Sequence, residues 1–182
     1  MDELAAEAGI TKPILYSHFG DRAGLARALA DRNANRLIGV LRESMASATG
    51  QGDPRGVVAA ALEAFCTFVE KDPEIYRFLV QSSLGEPNPV TSRLVTGVAA
   101  EVAVMIGGGL HIAGLGAGPA EPWAFAIVGM GFVTAEWWLE RQATADAISK
   151  TELVDHLTQL VWGGLAGAGL EGLHLRIAPD TP

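Results

Sequence analysis

Apolar residues in the first fifty positions recur at helical spacing and are interrupted by glycine. The pattern predicts two short helices, over residues 2–8 and 14–19, and a much longer third helix over residues 21–48. Gly9 and Gly20 are predicted to end the two short helices, because glycine readily adopts the left-handed backbone that closes a helix. The first fifty residues therefore predict three helices joined by tight turns.

Polar residues at the predicted helix starts support these boundaries. Thr11 is placed to cap the second helix, and Pro13 is tolerated in a first helical turn. Asp21 is placed to cap the third helix, and the loop-forming stretch 49–54 follows its end.

The pattern beyond this loop predicts five more helices. They cover residues 54–71, the segment between Asp72-Pro73 and a loop at residues 85–89, and residues 90–106, 121–143 and 151–165. Thr151 is predicted to cap the last of them. Residues 107–119 are too rich in glycine to be assigned, and the chain after Gly172 has the pattern of a tail.

Composition favours a globular, all-α protein. Hydrophobic residues make up 49% and charged residues 19% of the 182 positions, and β-branched runs are short. Glycines, His111 and Glu136 interrupt the apolar stretches 102–118 and 122–139, so we expect no membrane span. The lone Cys66 is expected to be a buried small hydrophobe. Because the start of the sequence has no signal-peptide pattern, the expected location is cytoplasmic.

The net charge of −8 is unusual for a protein that binds nucleic acid, but the charge is unevenly distributed. Residues 1–36 carry five basic and five acidic side chains, so all the excess acid lies after residue 36. The first segment therefore leaves room for a local basic face, although its charge alone does not argue for DNA binding.

Residues 4–19 have the pattern of a helix-turn-helix, a motif whose second helix lies in the DNA major groove. Ala5 is small where two helices must cross, and Gly9 supplies the turn. A generic two-helix turn inside a bundle would also contain these two residues, so the pattern alone leaves that alternative open. The small core between the helices is predicted from Leu4, Ala8, Ile10, Leu15 and Phe19.

The polar face left by this packing suits phosphates and base edges. Lys12 can neutralise a phosphate or reach a guanine, while Pro13 and Ile14 can meet a thymine methyl. Arg22 can share a phosphate with the N-terminus of the third helix. The side chains able to hydrogen-bond phosphate oxygens are those of Thr11, Tyr16, Ser17 and His18.

Residues 11–22, Thr-Lys-Pro-Ile-Leu-Tyr-Ser-His-Phe-Gly-Asp-Arg, closely resemble the recognition-helix signature of the tetracycline-repressor (TetR) family. The resemblance implies phosphate contacts by Tyr16, His18 and Arg22, and base-facing positions for Lys12, Pro13 and Ile14. It also implies a homodimer that binds double-stranded operator DNA. The expected function is that of a repressor released by a small effector, although the residues do not exclude an activator.

One departure from the family concerns the start of the sequence. The family has a further helix before the helix-turn-helix, whereas this sequence starts at what matches the second helix. The apolar face of Leu4, Ala8 and Phe19 is then expected to lose part of its cover. Two explanations stay open: a shortened sequence, or a loosened head that binds DNA poorly.

The resemblance implies a division into a DNA-binding head at residues 1–36, a regulatory and dimerisation domain at residues 37–172, and a tail at residues 173–182. The last two long helices are implied to pair with their copies in a second subunit. Their apolar residues lie on more than one face, as expected for helices that serve both a core and a partner. The predicted interface residues are Trp137, Trp138, Leu153, Leu157 and Trp162.

A ligand cavity is expected inside the second domain. Large apolar residues with few charges among them favour an apolar effector. Plain core is the stronger interpretation for each residue taken singly, and the candidate lining residues are Phe65, Phe68, Tyr76, Phe78, Met105, His111 and Trp123.

No catalytic motif is visible: Gly-x-Ser-x-Gly, a Walker loop, His-Glu-x-x-His and a cysteine pair are all missing. Glu152 and His156 lie four residues apart, but without further ligands they predict a surface contact rather than a metal site. We therefore expect no enzymatic activity, no cofactor and no metal. The rival interpretation is a helical interaction module that does not bind DNA.

Overall fold

The computed structural model describes residues 2–50, 52–84, 89–144 and 146–167, and every regular element in these ranges is an α-helix, as predicted. Residues 85–88 of the predicted loop at 85–89 lie outside the described residues, as does the tail, and Pro89, the last residue of that predicted loop, is the first residue of a helix. The helices are α1 Asp2–Glu7, α2 Lys12–Phe19, α3 Arg22–Thr49, α4 Pro54–Lys71, α5 Pro73–Leu84, α6 Pro89–Ile112, α7 Ala120–Arg141 and α8 Lys150–Gly167.

The predicted helix ends in the first segment are confirmed. Gly9 has φ +65° and Gly20 has φ +73°, the left-handed backbone that favours glycine. The Asp21 carboxylate accepts a hydrogen bond of 2.6 Å from the Gly24 amide and so caps α3. Thr11 occupies the N-cap position of α2, but its side chain makes no capping hydrogen bond.

The core is built from α3 to α8. Helix α3 packs against α4 and α6, α4 also packs against α8, and α6 packs against α7. Trp138 is fully buried, and its indole N–H donates a 3.0 Å hydrogen bond to the Ile148 carbonyl. Cys66 is buried as predicted, and burial raises the pKa of its thiol to about 12.

Helix α6 runs through part of the stretch that could not be assigned from sequence. It includes Gly107 and ends at Ile112, and the chain then turns at Gly114, which has φ +75°. A Cβ at Gly107 would lie 3.7 Å from the Ala120 side chain at the start of α7. This is an ordinary van der Waals distance, so the packing of α6 on α7 does not require glycine here, and the helix continues through Gly107 despite its low helix propensity.

The predicted cap of the last helix is wrong by two residues. Ser149, not Thr151, caps α8: its hydroxyl accepts from the Glu152 amide at 3.2 Å. The Glu152 carboxylate in turn accepts from the Ser149 amide at 2.9 Å. This reciprocal arrangement is a capping box, and its spacing fixes the helix start at Lys150.

One helix in the described ranges, Leu94–Ile112, is long and apolar enough to cross a membrane by length and composition. Its large buried residues recur every four positions at Leu94, Val98, Val102, Ile106 and Leu110, and Ala99 is buried beside them. Val104 on the opposite side is 76% exposed. Burial of one stripe is the pattern of a helix packed on the outside of a globular core.

Candidate nucleic-acid interface and ligand cavity

The first two helices pack through very few side chains. Ala5 and Leu15 are buried, and Phe19 is half-buried. The predicted core positions Leu4, Ala8 and Ile10 are exposed, with Leu4 at 49%. The exposure of Leu4 and Ala8 agrees with the expected loss of cover on this face, whereas the placement of Ile10 in the small core is wrong.

A glycine that the sequence reasoning overlooked fixes the turn between α2 and α3. A Cβ at Gly24 would lie 1.9 Å from the Phe19 carbonyl oxygen, closer than any side chain tolerates. The backbone of α3 therefore approaches the end of α2 directly. A glycine in the first turn of a predicted helix was the available signal.

All the residues predicted to touch DNA lie at the surface of the head. Leu15, between them, is the one turned into the protein. The exposed set is Thr11, Lys12, Pro13, Ile14, Tyr16, Ser17, His18 and Arg22.

Two of these residues are engaged within the head. The Lys12 ammonium forms a 2.8 Å ion pair with Asp2, which raises the pKa of Lys12 and lowers that of Asp2. The Ser17 hydroxyl donates a 2.8 Å hydrogen bond to the Ile14 carbonyl, so its oxygen is left to accept. A nucleic-acid contact by Lys12 would require its ammonium to leave Asp2, a competition that no pattern in the sequence indicates.

The body contains an inner cavity of about 70 Å³. Every residue in its wall is apolar. The wall comprises Leu41, Met45, Val58, Ala61, Leu62, Phe65, Val98, Val102, Met105, Ile127, Val128, Gly131, Phe132, Val161 and Leu165.

Only part of the predicted ligand site lies at this cavity. Phe65 and Met105 line it, and Tyr76 lies behind the wall, with its ring 6.2 Å from the Phe65 ring. The Tyr76 hydroxyl donates a 2.6 Å hydrogen bond to the Phe132 carbonyl. Burial raises the pKa of this phenol, which keeps it neutral.

The other predicted lining residues lie elsewhere. Phe78 is on an exposed side of α5, and His111 is exposed in the last turn of α6. Phe68 and Trp123 pack half-buried against the core but line neither cavity described here. Aromatic character predicted burial in these cases, but the side of each helix that faces a cavity depends on how distant helices pack.

A second, outer cavity of about 370 Å³ adjoins the first. It shares Met45, Val58, Met105 and Leu165 with the inner wall. Its remaining wall is partly polar and is formed by α6, α8, the C-terminal half of α3 and the start of α4. The polar and aromatic members are Arg42, Thr49, Asp53, Glu101 and Trp162.

An ion pair joins α3 to α6 at the edge of this outer cavity. The Arg42 Nε donates to Glu101 Oε2 at 3.1 Å, and one Nη donates to the other carboxylate oxygen. The pair raises the pKa of Arg42 and lowers that of Glu101. Because 59 residues separate the two partners, no local sequence pattern indicates this contact.

The predicted subunit interface needs correction. Trp138, Leu153 and Leu157 are buried in the core of the chain itself, and Trp162 is half-buried at the outer cavity. Trp137 is 40% exposed, with the Arg141 guanidinium 5.1 Å from its ring centre. The alternation of the two neighbouring tryptophans follows from the 100° turn per residue of a helix.

Exposed apolar side chains do lie on both of the long C-terminal helices. On α7, Phe125, Val133 and Trp137 are spaced by multiples of four residues and so share one face. On α8, Leu160 is 62% exposed.

Within the described part of the chain, no group of three or more histidine, cysteine, aspartate or glutamate side chains could hold a metal ion. Glu152 is occupied by the Ser149 cap, and His156 is exposed on the same helix.

Comparison with known proteins agrees with this geometry. A family model for bacterial regulatory proteins of the tetR family matches residues 1–29, and a model for the tetracyclin repressor-like C-terminal domain matches residues 40–172. An uncharacterized HTH-type transcriptional regulator of Mycobacterium tuberculosis (strain H37Rv) is 30% identical over 183 residues, which cover 100% of this chain and 75% of that protein.

A second relative is the HTH-type transcriptional activator FasR of Mycolicibacterium smegmatis, 30% identical over 166 residues. The similarity covers 91% of this chain and 73% of FasR. The all-α fold, its helix-turn-helix head and these matches define a transcriptional regulator. The chain belongs to the TetR family.

Proposed function

We propose that this protein is a homodimeric, effector-controlled regulator that binds operator DNA through α2 and the first turn of α3. The observation that supports this proposal best is the exposure of every residue of the signature that the resemblance assigns to DNA, while Leu15 between them is buried. The division into a head at residues 1–36, a body at residues 37–172 and a tail belongs to the same proposal.

The roles within the head follow from side-chain chemistry. Arg22, Tyr16 and His18 contact phosphates, with Thr11 and Ser17 beside them, whereas Lys12 reaches a base edge. Pro13 and Ile14 contact thymine methyl groups.

These roles are tested by measuring binding to the DNA upstream of the protein's own gene as salt is varied. Arg22→Ala should weaken binding on all sequences and lower the salt slope by about one unit. Lys12→Ala should change the preference between sequences. Arg55→Ala, an exposed arginine at the start of α4, is the matched control and should bind like the parent. Normal binding by the Lys12 and Arg22 variants would refute the assignment, and a chain that still ignores all DNA after the family's first helix is added to it would favour the interaction module.

The homodimer is supported by the geometry of operators and by the exposed apolar faces of α7 and α8. Two recognition helices must reach half-sites roughly 34 Å apart, which twofold symmetry supplies. Trp137→Asp should weaken the dimer in sedimentation, whereas Val40→Asp, at a similarly exposed apolar position on α3, should not. A wild-type chain that stays monomeric at micromolar concentration would contradict the proposal.

The two cavities are proposed as the effector site, and the cytoplasm as the place of action. We propose repression, with release from the operator when the effector binds. Because the relative FasR is named an activator, a reporter gene behind the operator decides the sign. Expression that falls when the regulator is removed would show activation.

A further inference from the structure

We propose that the two cavities form a single site for an amphiphile, whose hydrocarbon chain enters the inner cavity while an anionic headgroup binds Arg42 at the outer one. This inference rests on the proposed regulator function only in taking the cavities as the effector site. It adds the chemical class of the effector and the residue that recognises its charge.

The inner cavity selects the hydrocarbon part. No side chain in its wall carries a hydrogen-bonding group, so a polar group placed there would lose its water partners without replacement. Met45 and Met105 line both cavities and so lie where the two adjoin. Their unbranched side chains adapt easily to a hydrocarbon chain that passes between them.

In the outer cavity, Arg42 is the side chain that offers hydrogen-bond donors to a ligand. Glu101 uses the Arg42 Nε–H and one Nη–H, so three of the five guanidinium N–H groups have no protein partner in the described structure. The Arg42 side chain is 63% exposed. The Thr49 hydroxyl, by contrast, donates to the Met45 carbonyl of its own helix.

The acidic groups of the outer wall are already engaged. Both oxygens of Glu101 accept from Arg42, and its side chain is 25% exposed. Asp53 accepts from the Arg55 amide at 3.1 Å as the N-cap of α4, where the helix dipole offsets its charge. The group left to bind a ligand is therefore the planar guanidinium of Arg42, which binds a carboxylate better than a cation or an alcohol.

The first experiment compares headgroups on one chain length. Binding of decanoate, 1-decanol and decyltrimethylammonium to the full chain is measured by calorimetry below their micelle concentrations. We expect decanoate to bind about five- to tenfold more tightly than decanol, as for a charge-assisted hydrogen bond to a partly exposed guanidinium. Added salt should reduce this preference. Equal binding of decanoate and decanol, or tighter binding of the cation, would overturn the proposal.

Variants locate the recognition. Arg42→Gln should remove the preference for decanoate, and Glu101→Gln should increase it, because Glu101 no longer competes for the guanidinium. Arg36→Gln removes an exposed arginine of the same helix that lines neither cavity and should keep the preference. A preference unchanged in Arg42→Gln would refute the assignment of that residue.

The second experiment tests the hydrocarbon part by chain length. From hexanoate to dodecanoate, each added methylene should tighten binding about three- to fourfold until the inner cavity is full. Gly131→Leu places a side chain in the inner cavity and should reduce the gain per methylene, whereas Gly129→Leu, outside both walls, should not. If Gly131→Leu does not fold, the wild-type series alone tests the proposal. Affinities that do not depend on the length of the hydrocarbon chain would refute binding in the inner cavity.

DNA binding is measured on the same preparations. A chain that binds DNA but none of the three amphiphiles would refute this inference and leave the proposed function intact. A chain that binds decanoate as expected but no DNA would refute the proposed function and leave the ligand class standing.

Discussion

The head and the body of this molecule are held together in different ways. Among the described residues, positions 2–21 bury only Ala5 and Leu15, whereas the main core, which begins at Ala30 on α3 and continues through the body, contains 31 buried apolar residues. The head depends on two glycine turns, the Asp21 cap and an exposed ion pair. Burial therefore stabilises the body, and local backbone geometry organises the head, so substitutions in the two regions should affect different measurements.

The largest expected effect lies in the body. Trp138→Ala should lower the free energy of unfolding by about 3–5 kcal/mol, because it empties a fully buried site and removes the hydrogen bond to Ile148. Thermal or denaturant unfolding followed by circular dichroism measures the change. Trp137→Ala, on the neighbouring exposed position, is the control and should change monomer stability far less. Equal losses for the two variants would contradict the placement of Trp138 in the core.

The next effect separates the two regions. Gly24→Ala should cost the head about 1–3 kcal/mol, because the new Cβ overlaps the Phe19 carbonyl and forces α2 away from α3. We expect DNA affinity to fall while the main unfolding transition of the body stays in place.

The control for this change is another glycine of the same helix. Gly39→Ala meets no atom within 4 Å and should leave DNA binding unchanged. If Gly24→Ala also bound DNA normally, the contact between α2 and α3 would not be required for the interface.

A smaller effect is expected at the start of α8. Ser149→Ala should lower the stability of the body by about 1 kcal/mol, since it removes one half of the capping box. Thr151→Ala should be close to neutral, because Thr151 lies inside the helix and is exposed. If chemical denaturation showed a larger loss of stability for Thr151→Ala than for Ser149→Ala, Thr151 rather than Ser149 would be the cap.

The smallest effect concerns the ion pair of the head. Asp2→Asn should increase DNA affinity by about two- to threefold at low salt, because Lys12 no longer exchanges a carboxylate for DNA and one repulsive charge is removed. Fluorescence anisotropy at two salt concentrations measures the change. Glu3→Gln removes a neighbouring charge that has no bond to Lys12 in the described structure and should give a smaller gain. A loss of affinity in Asp2→Asn would show that the pair is needed to position α2.

The difference between the regions also explains what could be predicted from sequence. The turns of the head are encoded locally: Gly9, Gly20 and Asp21 act on their own backbone, so the pattern located them correctly. The apolar pattern placed Leu4 in the small core of the head, but Leu4 is exposed, in line with the expected loss of cover, since the burial of a face on a six-residue helix depends on what packs against it.

In the body, apolar spacing predicted the helices but not which of their residues meet at a cavity. The tryptophan pair illustrates the limit, because one residue of rotation decides between core and surface for Trp137 and Trp138. Arg42 and Glu101 meet across 59 residues of chain, and only the packing of α3 on α6 brings them together. Such contacts depend on tertiary arrangement and leave no periodic signal.

The continuity of α3 has a mechanical consequence. A helix of 28 residues is a rod of roughly 42 Å, with Arg22 as its first residue and Arg42 about 30 Å further along it. A rigid rod amplifies rotation: a tilt of about five degrees at one end moves the other by roughly 4 Å, comparable to the reach of a single hydrogen-bonding contact. Under the proposed function, small changes near the cavities would therefore reach the head as displacements large enough to shift α2 relative to a DNA groove.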